Sequence, residues 1–408
     1  MVAKSVNFSG QYDIPGEGGA QNRRPPPGQF RKIGRARCYA MAKPNTAMGK
    51  SMNRIDDSQL AFASVALAPS RRAILASLAA FGAASALPPT TLHAAAPAMK
   101  TIDFHHHFNP PFLIDAAGAN RVGADASALN WDISYSLEDM DKTGIAKAVI
   151  SPSTGFAERT DPAQRVGMVR RVNEYGAELV RDHPTRYVQL VYMPLPDVDA
   201  ALKEIAYGFE TLNVVGAGFA TSYGDKYASD AAFAPVFEEL NRRKAIAYFH
   251  PLAAACCTRL FPTLPLEANL VEIPYDTART VMGFLLTGAY RRYPDIKFVF
   301  SHSGGAVPMF AGRFNRLLQT SDLSKVAPDG INAEFQKLYY ETANASSPPT
   351  IAALLKFAPL DRILFGSDHP YVSDADNMAD LKSCGLSQAQ MNAILYQNAQ
   401  ALIPRLKA

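Results

Sequence analysis

In this 408-residue chain, histidines and an aspartate stand at the ends of four short apolar runs. Asp103-Phe104-His105-His106-His107 closes the first run. Side chains two apart on a strand point the same way, so His105 and His107 can converge on one ion. His106 then points elsewhere, as a packing residue or a hydrogen-bond donor. Tyr248-Phe249-His250-Pro251 closes a second run, where a lone imidazole equally fits a satisfied core histidine. A third run, Phe298-Val299-Phe300-Ser301, ends in His302-Ser303-Gly304-Gly305, whose glycines allow a tight turn and leave room for a ligand. The fourth, Ile363-Leu364-Phe365-Gly366, ends in Ser367-Asp368-His369-Pro370. Asp368 either caps the next helix or supplies the carboxylate that the imidazoles lack. Three histidines with one aspartate form a reasonable donor set for a divalent cation. Each segment alone is weak evidence for a metal; the four together point to one site.

Such a site needs a scaffold that brings distant segments together. Candidate strands are Thr101–His105, Ala146–Ser151, Tyr187–Tyr192, Val214–Phe219, Ile246–His250, Lys297–Ser301, Leu338–Glu341 and Arg362–Phe365. Amphipathic stretches lie between them, among them Arg165–Arg181, Ala200–Phe209, Ala231–Arg243 and Thr277–Tyr293. Strands alternating with helices argue for parallel βαβ units. Eight of them over roughly 300 residues fit a closed (β/α)₈ TIM barrel, where catalytic residues gather at the C-terminal ends of the strands. A doubly wound sheet is the competitor, but no Gly-x-Gly-x-x-Gly follows an early strand.

The chain before Met99 reads differently. Residues 1–51 are rich in glycine, proline and basic residues without periodicity, a composition that cannot offset its ordering entropy. They read as a disordered leader or as sequence upstream of a later start codon. Residues 52–98 read as a twin-arginine signal: Ser70-Arg71-Arg72, an alanine-rich apolar run, then Leu92-His93-Ala94-Ala95-Ala96 as a cleavage site. That run is too short to be a stable membrane span. The expectation is periplasmic export through the twin-arginine machinery, or a cytoplasmic protein should translation begin near Met99. The catalytic domain then occupies residues 99–408.

Composition narrows the function classes. A hydrophobic fraction of 48% and a charged fraction of 19% suit a soluble globular protein. A formal charge of +4 gives no case for nucleic acid, which calls for a dense basic face. Four cysteines are too few for a disulfide framework, and the adjacent Cys256 and Cys257 suit neither a zinc knuckle nor a redox pair.

HHHFNPP, YFHPL, FVFSHSGGAVP and LFGSDHPY, with LEDMDKTG at Leu137–Gly144, resemble the signature segments of the amidohydrolase-2 branch. These are decarboxylases related to aminocarboxymuconate-semialdehyde decarboxylase. The resemblance covers nearly all of residues 100–408 and implies one divalent ion, zinc foremost with manganese or iron as alternatives. It matches His105, His107, His250 and Asp368 to the metal ligands and His302 to the catalytic histidine. It also implies a homodimer. Pro274-Tyr275-Asp276-Thr277-Ala278-Arg279 further resembles methylsalicylate-type decarboxylases. Leu252 replaces the tryptophan usual in semialdehyde decarboxylases, and His105 and His107 replace the Glu-x-His of resorcylate-type members. The fourth strand, Val214–Phe219, carries no lysine to bridge a second metal, which favours a single ion.

The expected reaction is non-oxidative loss of CO₂ from a small aromatic or unsaturated carboxylic acid. His302 and Asp368 handle the proton, and Arg279 is a candidate partner for the substrate carboxylate. An equally simple use of Arg279 is to pair with a helix-capping Asp276 three residues before it. The same site suits hydrolysis of a lactone or amide. A non-catalytic, exported metal-binding barrel is the third reading.

Overall fold

The apolar runs become strands because both of their faces are buried. A computed structural model describes residues 100–117, 126–252, 270–317 and 321–407. The leader, the twin-arginine segment and Cys256-Cys257 lie outside the described residues. Eight parallel strands run in chain order: β1 (Thr101–Phe108), β2 (Ile145–Pro152), β3 (Tyr187–Tyr192), β4 (Gly216–Ala220), β5 (Ile246–His250), β6 (Lys297–Phe300), β7 (Tyr339–Glu341) and β8 (Ile363–Leu364). Each pairs with the next in parallel. The gap from β8 back to β1 is bridged at the strand ends. Phe104 N–H donates to Phe365 O at 2.9 Å, Asp368 N–H to His105 O at 2.9 Å, and His107 N–H to His369 O at 2.8 Å. The ring is thus a near-closed barrel of TIM type.

Side chains from the strands fill two layers. Ile102, Phe104, Val149, Val188, Leu190, Ile246, Tyr248 and Val299 form one cluster, joined by Ile403 and Leu406 from the C-terminal end. The other contains Ala148, Ile150, Phe249 and Phe300 packed against apolar helix faces. Those helices include α1 (Ile133–Thr143), α2 (Pro162–Asp182), α3 (Val198–Glu210), α4 (Ala234–Arg242), α5 (Glu272–Leu286), α6 (Val307–Asn315), α7 (Pro348–Phe357) and α8 (Asp374–Ser383). Local chemistry sets their ends. Asp132 caps α1 by accepting the Tyr135 N–H, and Gly144 closes it with φ of 76°, turning the LEDMDKTG segment directly into β2.

Two expectations are corrected, and one element is new. The stretch Thr277–Tyr293 is two helices: α5 ends at Leu286, and Ala289–Arg292 forms a separate turn after Gly288, whose φ of 71° a continuous helix cannot accept. Asp276 does not cap α5 but lies within its second turn, its carboxylate buried against Thr221 and Tyr227. A two-residue hairpin, Ser222–Tyr223 with Lys226–Tyr227, follows β4 and is too short to leave a periodicity.

A bulge in β1 matters most for the site. Asp103 pairs with Ala148 and His106 with Ile150, three residues against two, so the alternation breaks at Phe104 and His105. Simple alternation would put Asp103 on the face of His105 and His107. Instead Asp103 reaches His106, and the other two histidines face the ring of His250.

Candidate metal centre

β1, β5 and the turn after β8 bring four donors together. His105 Nε2 lies 2.9 Å from His107 Nε2, which lies 3.3 Å from His250 Nε2. Asp368 Oδ1 is 3.2 Å from His105 Nε2 and 3.4 Å from His107 Nε2. One donor atom from each residue falls within 4.8 Å of all the others. The next helix, α8, is capped by Ser373, so Asp368 is not used as a cap. Its φ of 69°, and those of His302 at 53° and Ser303 at 57°, place three non-glycine residues of the rim in the left-handed region. Each such conformation costs on the order of 1–3 kcal/mol and persists where the surroundings over-determine it, characteristically at functional sites.

The hydrogen bonds fix what the four donors offer. His250 Nδ1–H donates to Pro251 O at 2.9 Å, and His105 Nδ1–H donates to Glu341 Oε1 at 2.7 Å. In the neutral rings both Nε2 atoms are therefore bare lone pairs, and both face His107 Nε2. Asp368 Oδ1 is buried and takes no hydrogen bond. Lone pairs at this separation repel unless a positive charge lies among them. The carboxylates around the set favour such a positive charge, whether a proton on His105 or a cation in its place. Burial works against charge on His105, yet Glu341 and Asp368 outweigh it and push its pKa up to about 10. Burial and the neighbouring imidazoles hold His250 well below its usual value. Burial alone would raise the Asp368 carboxyl, but His105 and His107 hold it well below the usual range. The donors present fit a divalent cation.

His302 stands beside this set. Its ring centroid is 5.0 Å from that of His105 and 5.3 Å from that of His250. Nδ1–H donates to Ala343 O at 2.8 Å, which leaves Nε2 as the atom able to exchange a proton. Arg279 is exposed on α5 and donates to the Tyr227 hydroxyl at 3.2 Å, and that hydroxyl donates to Asp276 Oδ1 at 2.8 Å. The pairing of Arg279 with Asp276 is thus relayed by Tyr227.

The relatives can now be placed. The amidohydrolase family profile, Amidohydro_2, matches residues 102–405. The chain belongs to this family. It is 33% identical to "Decarboxylase yanB" of Aspergillus niger over 67% of this chain and 78% of that protein. It is 32% identical to 6-methylsalicylic acid decarboxylase of Penicillium expansum over 67% of this chain and 85% of the other. Among solved structures, a dihydroxybenzoic acid decarboxylase from a Polaromonas species, with bound manganese and 2-nitroresorcinol, superposes with a TM-score of 0.66. The two are 22% identical, and the match covers 76% of this chain and 98% of that one. That likeness is one of fold.

Within the family frame, two groups of residues escaped sequence reasoning. Glu341, fully buried at the end of β7, contacts both His105 and the His302 backbone. Its place at a strand end, the rule that singled out the other site residues, was the available signal. The second group surrounds His106. Asp103 accepts from His106 Nδ1 at 2.8 Å and from the Ser367 hydroxyl at 2.6 Å, while His106 Nε2 meets the Ser136 hydroxyl at 2.7 Å. No spacing rule reveals that group, since its members come from β1, α1 and the turn after β8.

Proposed function

We propose that this chain is a metal-dependent, non-oxidative decarboxylase of a small aromatic carboxylic acid, hydroxybenzoate or methylsalicylate in type. The observation that carries the reading is the convergence of His105, His107, His250 and Asp368 beside His302. The decarboxylase names of the relatives point the same way. A divalent ion held by those four residues would supply Lewis acidity and an anchor for a carboxylate and its ortho-hydroxyl.

The chain's own residues then handle the proton. In the reaction the bond from ring carbon to carboxyl breaks, CO₂ leaves, and a proton replaces it on the carbon. His302, with Nδ1 committed to Ala343, presents Nε2 to the substrate as acid, base and orienter. Asp368, a carboxylate at rest, relays a proton rather than storing one, alone or through a water beside it. Arg279 is the proposed partner of the substrate carboxylate, since the first turns of α5 pack on the Gly305 turn that follows His302. Incubation of the purified chain with hydroxybenzoates and with lactones, while CO₂ is followed, tests the reading. CO₂ from a hydroxybenzoate supports it; lactone opening without CO₂ replaces it with hydrolysis.

The ion's identity belongs to the same proposal. The donor set suits zinc, and the Polaromonas relative carries manganese; elemental analysis of the protein as purified decides between them. A homodimer is proposed on family grounds, and sedimentation tests it. No helix among the described residues is long and apolar enough to cross a membrane. Twin-arginine export to the periplasm is proposed from Ser70-Arg71-Arg72 and the apolar run after it. Replacing both arginines by lysine should retain the precursor in the cytoplasm, and undiminished periplasmic protein would reject it.

A further inference from the structure

We infer that Glu341 is the positioning residue of this centre, one buried carboxylate that orients a metal-binding histidine and the proton-transferring histidine together. The inference rests on the metal-site reading above. Glu341 is fully buried, and its two oxygens receive four donors. Oε1 accepts from His105 Nδ1–H at 2.7 Å, from the His302 backbone N–H at 3.0 Å and from the Tyr248 hydroxyl at 3.3 Å. Oε2 accepts from the Ala343 N–H at 2.6 Å.

Two consequences follow from this geometry. Accepting from Nδ1 fixes His105 in the tautomer whose Nε2 lone pair faces the other donors, as carboxylates behind metal-binding histidines commonly do. The second concerns His302, whose left-handed backbone must be held from outside. Glu341 holds it twice: directly at its N–H, and at its ring through Ala343, whose N–H is fixed by Oε2 and whose carbonyl takes Nδ1–H at 2.8 Å. The fold also makes room for this one side chain. A Cβ at Gly366, in the turn leading to Asp368, would collide with Glu341 Oε2 and lie 2.9 Å from His105 Cβ.

Glu341→Gln tests the inference with nearly constant shape. The amide oxygen can still accept the three donors at Oε1, but the amide NH₂ then faces the Ala343 N–H, donor against donor. Alternatively the amide flips and forfeits His105. The EDTA-stripped full chain is titrated with Mn²⁺, with free ion followed by its electron paramagnetic resonance. We expect Mn²⁺ to bind about 10- to 100-fold more weakly than to wild type, the range typical of such outer contacts. At saturating Mn²⁺, kcat should remain depressed with KM for the aromatic acid little changed. Glu341→Asp, which keeps the charge but is one methylene shorter, should fall between the two and carries the test should Glu341→Gln not fold. Wild-type Mn²⁺ affinity and kcat in Glu341→Gln would overturn the inference. Loss of Mn²⁺ binding together with loss of the near-ultraviolet circular dichroism signal in both Glu341→Gln and Glu341→Asp would also overturn it, by making the role merely structural. A wild type that binds Mn²⁺ but releases no CO₂ from any aromatic acid would sink the functional reading and leave the Mn²⁺ arm of this test intact.

Discussion

His106 and His369 stack face to face, with ring centroids 4.3 Å apart and planes 3° from parallel. The pair belongs to a buried polar network, distinct from the imidazoles of the candidate metal centre, that ties β1 to the turn after β8. Besides His106, Asp103 accepts the backbone N–H of both His105 and Ser367, at 2.9 and 3.0 Å. His106→Ala removes a ring and strands Asp103 and the Ser136 hydroxyl with one partner fewer. It should cost about 2–4 kcal/mol in urea unfolding while retaining most of the bound metal. Metal loss without a loss of stability would place His106 in the ion site instead.

Asp374 opens α8 beside this network. Burial, then the negative charges of Asp103 and Asp139, push its pKa up to about 8. An unfolded aspartate titrates near 3.9. Between roughly pH 4 and 8 the folded protein therefore keeps a proton that the unfolded chain has released, and stability falls as pH rises. Asp374→Asn removes that dependence. Urea midpoints at pH 5 and pH 8 should differ less in the variant, which should match or exceed wild type at pH 8. Parallel profiles for the two proteins would show that Asp374 is not protonated in the fold.

Ligand variants should behave differently from both. His250→Ala and Asp368→Ala each remove a donor from the four-atom set and should lower metal content and abolish turnover. Wild type with free ion at 100 times its Kd should gain about 2.7 kcal/mol over the stripped protein, a gain that both variants lose. Unchanged metal content in either variant would remove that residue from the set.

His302→Ala separates proton transfer from ion binding. Its ring sits beside the donor set with Nδ1 turned to Ala343, so the variant should keep its metal and lose about 10²- to 10⁴-fold in rate. Stoichiometric metal loss would make His302 a ligand and pass the acid–base role to Asp368.

Much of this architecture is legible in the sequence because buried parallel strands read as continuous apolar runs. Tyr187–Tyr192 and Ile246–His250 coincide with the strands observed, and the polar residues ending such runs are those the barrel rim gathers. What spacing misses is what alternation cannot encode. The β1 bulge moves Asp103 to the side of His106. Asp276 resembles a cap by its place in the sequence, yet it is buried inside α5 because Thr221 and Tyr227 arrive from the segment after β4. Glu341 gains its role only when β7 lies beside β6, whose end carries His302, and within reach of His105 on β1.

The central claim is metal-dependent replacement of a carboxyl group by a proton on an aromatic carbon. Its most direct test is the fate of a hydroxybenzoate or methylsalicylate incubated with the metal-loaded full chain in D₂O, followed by proton nuclear magnetic resonance. The account predicts CO₂ and a phenol with one deuterium at the vacated carbon, formed by wild type, suppressed by chelation and restored by added Mn²⁺ or Zn²⁺. Acids returned unchanged by metal-loaded protein that opens a lactone or amide would contradict it.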